Sequence, residues 1–137
     1  MKARHPYSSS FRPPAPVLLV RLGAPGRETV LGLPALLDTG ADLSVVPRST
    51  ADALGLPQVS TTRIQGVTGA AESTPVHAAL LEIAGAAELV EVVAWGDEAI
   101  LGRDVLNRFV LELDGPRETL IVSTLTATPR RRLKRVR

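Results

Sequence analysis

Between Leu36 and Val46 the chain reads Leu-Leu-Asp-Thr-Gly-Ala-Asp-Leu-Ser-Val-Val. Two leucines run up to Asp38, and apolar residues resume at Leu43. A strand here delivers a carboxylate into a turn that emerges from apolar surroundings. A carboxylate so placed can give or take a proton on a bound group. Gly40 lets the backbone approach closely or take positive φ. The Thr39 hydroxyl can hydrogen-bond and hold the loop. Asp-Thr-Gly taken alone also fits an Asx turn, in which Asp38 only satisfies neighbouring N–H groups. The apolar flanks on both sides favour the functional reading.

Other chemistries have little to draw on. The chain contains no cysteine, which excludes disulfides, thiolate catalysis and Cys-based zinc sites. Its two histidines are His5 and His77, too few for a His-rich metal site. His77 lies in an apolar strand and reads as a packed or surface residue. Ser44 and Ser49 have no base nearby in sequence, so a serine nucleophile is not expected. Trp95 precedes Gly96-Asp97-Glu98 at a strand end and reads as core or rim. Glu82, Glu88 and Glu91 mark the solvent face of a hairpin. No metal and no cofactor is called for.

The elements that position Asp38 are mostly short strands. Residues 1–16 carry Ser8-Ser9-Ser10 and Pro13, Pro14 and Pro16, and read as a flexible, irregular arm. Val17–Leu22, Glu28–Leu33, Ala35–Leu37 and Ser44–Val46 read as strands, with Gly32 and Pro34 as interruptions. A short helix is expected from Ser49 through Leu54. Ser60–Gln65 and Ala71–Val76 form hairpin arms around Gly66-Val67-Thr68-Gly69. Val76–Ile83 and Glu88–Ala94 form a second hairpin turning at Gly85. Ile100-Leu101 is a small buried strand, and Asp104–Phe109 is the best helix candidate after the one from Ser49. Val110–Leu113 and Thr119–Val122 close a last hairpin. Many short strands with few helices indicate an all-β barrel or sandwich.

Length and charge bound the organisation. The chain has 137 residues, enough for one domain with a real core. Aromatics make up only 3%, so the core must be aliphatic. The net charge of +2 hides an asymmetry, because Arg130, Arg131, Arg132, Lys134, Arg135 and Arg137 crowd one end. Residues 1–129 hold ten basic and fourteen acidic side chains, a net of −4. The expected layout is an arm (1–16), a domain (17–125) and a basic tail (126–137). Such a tail can contact nucleic acid or acidic lipid, but a solvated, disordered end is the favoured reading. No segment approaches the roughly 20 apolar residues of a membrane span. A cytoplasmic location is the default expectation.

Leu36–Val46 resembles the catalytic-loop signature of the retropepsin-like aspartic proteases, the single-domain family that includes the retroviral enzymes. Ile100-Leu101-Gly102-Arg103-Asp104 is similar to that family's second signature, which precedes its C-terminal helix. Ile64–Gly69 sits between them, where the family has its flap. The resemblance implies a closed β-barrel with a flap hairpin and a short C-terminal helix. It implies that Asp38 is catalytic, with Thr39 interlocking across a dimer and Gly40 contacting substrate backbone. It assigns substrate contacts to Ala41, Asp42, Gly66, Val67 and Thr68, and pairs Asp42 with Arg103. Gln65 and Thr68 depart from the glycine-rich retroviral flap. The arm and the tail have no counterpart in the motifs.

Aspartic-protease chemistry needs two carboxylates, one ionised to activate water and one protonated to donate to the scissile carbonyl. Like charges held close share one proton, which is how such pairs are known to work in aspartic proteases. This chain has a single Asp-Thr-Gly, so the second Asp38 must come from a second copy. The resemblance therefore implies a homodimeric endopeptidase acting on peptide or protein, with no cofactor. Thr119–Val122, the arm and other strands are all candidates for the dimer sheet. Leu36, Val46, Val67 and Ile100 are candidate subsite walls. The competing reading is a catalytically silent peptide-binding or dimerisation module of the same fold. A third makes the basic tail a nucleic-acid contact.

Overall fold

A computed structural model describes residues 2–65 and 69–124. Its architecture follows from strands whose residues alternate between core and solvent. Along β2 (Val17–Gly23), Leu18, Val20 and Leu22 point inward while Leu19 and Arg21 point out. The same alternation runs along β7 (Ala86–Ala94), where Val90 and Val92 are buried. β3 is Leu31–Leu37, β4 Val45–Val46, β5 Gln58–Gln65, β6 Ala71–Ile83 and β8 Ala99–Leu101. These strands lie in the order β2-β3-β8-β4-β7-β6-β5. β2 also pairs with β6, Leu22 opposite Leu81, and this closes six of the strands into a ring. Closure removes sheet edges and encloses an aliphatic core. β5 stands outside the ring, paired to β6 alone.

The only helices among the described residues are short: α1 (Arg48–Ala53) and α2 (Arg103–Leu106). β9 (Phe109–Asp114) and β10 (Thr119–Thr124) follow as a hairpin. The fold is thus the all-β closed barrel that the sequence indicates. Among the described residues no helix is long and apolar enough to cross a membrane.

Four local expectations change. Lys2–Pro6 is not irregular but a strand, β1, antiparallel to β10 with Arg4 opposite Ile121. The prolines that suggest disorder begin only at Pro13, and a double bridge between Ser8 and Ala15 closes that loop. Pro34 does not interrupt β3. β8 pairs with β3 only from Ala35 onward, so Pro34 breaks no ladder on that side. The segments Ala71–Val76 and Val76–Ile83 are one strand that serves two hairpins. The second helix stops at Leu106 rather than Phe109, because Phe109 opens β9 opposite Thr124. An aromatic followed by valine fits a half-buried pleated surface better than a helix end.

β10 lies between β1 and β9, and its Leu120 and Val122 are fully buried. Leu120→Ala is expected to cost about 2–5 kcal/mol in denaturant unfolding. Removing residues 1–6 is expected to lower the thermal midpoint by uncovering β10. A truncated chain that melts with the full one would show that β1 contributes nothing.

Candidate active site

β3 and β8 run parallel, Leu36 beside Ile100 and Leu37 beside Leu101, so both leave the sheet at the same level. Asp38 follows one and Gly102 the other. The Asp38 N–H donates to the Leu101 carbonyl at 3.0 Å, which fixes where the carboxylate starts. β4 lies on the far side of β8. Residues 38–44 must therefore cross the end of β8 to reach it.

Gly102 sits at that crossing. A Cβ there would stand 2.7 Å from the carbonyl carbon and oxygen of Leu43 and 2.9 Å from the Ala41 oxygen. All three are backbone atoms that cannot swing aside. Only glycine permits the approach.

Ser44 and Asp104 lock the crossing. The Ser44 hydroxyl donates to Asp104 Oδ1 at 2.8 Å and accepts the Gly102 N–H at 3.0 Å. Asp104 Oδ2 accepts the Ser44 N–H at 3.1 Å, and Oδ1 also accepts the Val105 N–H at 2.9 Å. Ser44 is 1% exposed, so these bonds lie in a shielded place where a missing partner would be costly. The first residues of α2 reach the same loop. The Arg103 N–H donates to the Ala41 carbonyl at 2.9 Å, and Arg103 Nη1 donates to the Thr39 carbonyl at 2.7 Å. Arg103 Nη2 pairs with Asp42 Oδ1. Both side chains of that ion pair are substantially exposed in the single chain, so its worth to stability is about 0–1 kcal/mol. Its effect is to orient Arg103 toward Thr39.

Asp38 is half-buried, while Thr39 and Gly40 are exposed. Asp38 Oδ1 accepts the Gly40 N–H at 2.9 Å, and the Ala41 N–H closes the turn on the Asp38 carbonyl at 3.1 Å. The Asx contact weighed as an alternative is therefore present, and it steadies the carboxylate rather than hiding it. Gly40, Ala41, Asp42 and Leu43 form one wall of an open groove of about 360 Å³. Thr62, Ile64 and Gln65 of β5 form the other. Gly66, Val67 and Thr68 lie outside the described residues. Val46, a candidate subsite wall by sequence, is instead a core residue at 5% exposure. Leu36 lines a different cavity, with Ser8, Phe11 and Glu98.

Sequence reasoning misses the part played by Ser44 and Asp104. Ser44 is considered there only as a nucleophile. The available signal is a lone hydroxyl in Leu43-Ser44-Val45-Val46, where a buried polar side chain requires a partner.

The sequence pattern of the family described as gag-polyprotein putative aspartyl protease matches residues 30–108, more than half of the chain. The chain belongs to that family. The EIAV protease, solved with the inhibitor HBY-793, is 28% identical with a TM-score of 0.55. That match covers 68% of this chain and 86% of the viral one. A retropepsin-like aspartic protease from Rickettsia conorii has a TM-score of 0.62 at 14% identity. It covers 89% of this chain and 90% of its own. The Simian Foamy Virus (mac) protease gives a TM-score of 0.51 at 20% identity, covering 67% and 92%. The latter two, at such identities, speak for the fold. No curated protein matches the chain.

Ser44→Ala leaves the Gly102 amide without its acceptor and Asp104 without its hydroxyl donor. It is expected to cost about 1–3 kcal/mol in denaturant unfolding. An unchanged midpoint would mean that the crossing is held by the backbone alone.

Proposed function

We propose that the chain is a homodimeric aspartic endopeptidase whose active site forms where two copies bring their Asp38 loops together. The observation that carries this reading is a single Asp-Thr-Gly loop, rigidly backed yet left open. Gly102, Ser44 and Asp104 fix it from behind, while Thr39 and Gly40 face solvent. Membership of an aspartyl protease family supports the same reading.

In this mechanism the two-fold axis of the dimer passes between the Asp38 carboxyls. One, ionised, takes a proton from a water molecule, whose oxygen attacks the scissile carbonyl carbon. The other, protonated, donates to the carbonyl oxygen. Collapse of the tetrahedral adduct breaks the C–N bond: the proton held by the first carboxyl passes to the leaving nitrogen, and one hydroxyl proton of the adduct returns to the second carboxyl, which restores the starting pair. Thr39 would interlock with its mate across the axis. Gly40, Ala41 and Asp42 would hold the substrate backbone along the groove. Arg103 positions Asp42 and the Thr39 carbonyl. Residues 66–68, between β5 and β6, would cover the bound peptide and exclude water.

The test is incubation of the purified protein with a mixed peptide library, beside Asp38→Asn. Cleavage is expected to fall at least about a hundredfold in the variant. It should also rise faster than linearly with protein concentration while monomer predominates. Undiminished cleavage by Asp38→Asn would overturn the assignment. A sedimenting dimer without cleavage would favour the silent binding module.

A further inference from the structure

Leu43 lines two grooves, the one beside the Asp38 loop and a second of about 560 Å³. The second is lined by Val59 of β5 and by Ala78 and Leu89 of the β6–β7 hairpin. Leu43, Val59 and Leu89 are 43%, 50% and 63% exposed, so this is an apolar face open to solvent. Val90 and three charged residues, Glu91, Asp104 and Arg108, complete its lining.

The placing of Val59 is specific. The β5–β6 register jumps between Gln58 and Ser60, opposite His77 and Val76, which leaves Val59 as an unpaired bulge residue. Bulges re-aim a side chain, and this one presents valine to the second groove. β5 is also the strand that walls the first groove, through Thr62, Ile64 and Gln65. From Val59 to Gln65 the strand advances about 20 Å at its usual rise, the span of roughly six residues of extended peptide. One strand therefore contributes residues to both grooves.

We propose that Leu43, Val59 and Leu89 form a distal subsite that takes an apolar side chain of the substrate, several residues from the bond that is cut. The occupant is the substrate chain itself, because the two grooves share a wall and an edge strand. The inference rests on the peptide-binding reading of the first groove, but it does not require that the bound peptide be cleaved. The subsite makes the protein select extended or unfolded segments with a spaced apolar residue, rather than short peptides that fill only the first groove.

The test separates binding from cleavage. Labelled peptides of about twelve residues, randomised at their outer positions, are titrated by fluorescence anisotropy against full-length Asp38→Asn. Leucine at one outer position is expected to bind about tenfold more tightly than serine there. The double variant Val59→Ser, Leu89→Ser on the Asp38→Asn background should erase that preference. It should leave binding of truncated peptides of about six residues unchanged. Circular dichroism and the melting midpoint establish that the variant is folded. Preference in the Asp38→Asn protein, coupled with no cleavage by the native chain, would keep the subsite and overturn the peptidase reading. Cleavage by the native chain without any outer preference would overturn the subsite alone. Equal loss of long and short peptides in the double variant would also overturn it, and a library in which nothing binds would overturn both.

Discussion

The structure depends on two pieces of backbone meeting at Gly102. Asp38 leaves β3 beside the end of β8, and the chain must pass over that end to enter β4. There is no room for a side chain beneath the crossing. Glycine alone would leave a gap with unpaired amides, and the Ser44 hydroxyl and the Asp104 carboxylate fill that need. Once the crossing is made, α2 begins immediately, and its first residues hold the carbonyls of Thr39, Ala41 and Asp42. The carboxylate of Asp38 is thus carried by a loop that is short, tied at both ends and supported from below.

That support divides the polar residues into two kinds. Ser44, 1% exposed, meets the half-buried Asp104 in a largely shielded place, where each bond substitutes for lost water and removal of one partner is costly. Asp42 and Arg103 act at the surface, where solvent screens their attraction. The exposed pair contributes little to stability in the single chain. Its value lies in direction: the guanidinium is turned so that its second nitrogen reaches the Thr39 carbonyl.

Much of this was legible in the sequence. Asp-Thr-Gly between apolar runs marks the loop, and Gly-Arg-Asp after Ile100-Leu101 marks the partner that comes from far along the chain. The strand alternation around Leu18, Val20 and Leu22 marks the barrel wall. What escaped depends on neighbours that local patterns do not contain. Lys2–Pro6 is a strand only because β10 offers it an edge. Pro34 is tolerated only because β8 starts one residue later. Phe109 leaves the helix for β9 because Thr124 awaits it. Val59 becomes a bulge residue through the β6 register, which no composition rule reveals. Ser44 reads in the sequence only as a nucleophile without a base, because its partner Asp104 lies sixty residues away.

The central claim is that two chains each contribute an Asp38 to one reaction centre. Two copies joined by a flexible linker test it most directly, since the tether fixes the pairing within one polypeptide. A tether with both aspartates intact is predicted to cleave library peptides at a rate proportional to its concentration. A tether carrying Asp38→Asn in one copy only is predicted to be inactive at the same dilution, with its fold and melting midpoint retained. Half or more of the activity surviving in the singly substituted tether would contradict the account, because each chain would then be complete by itself.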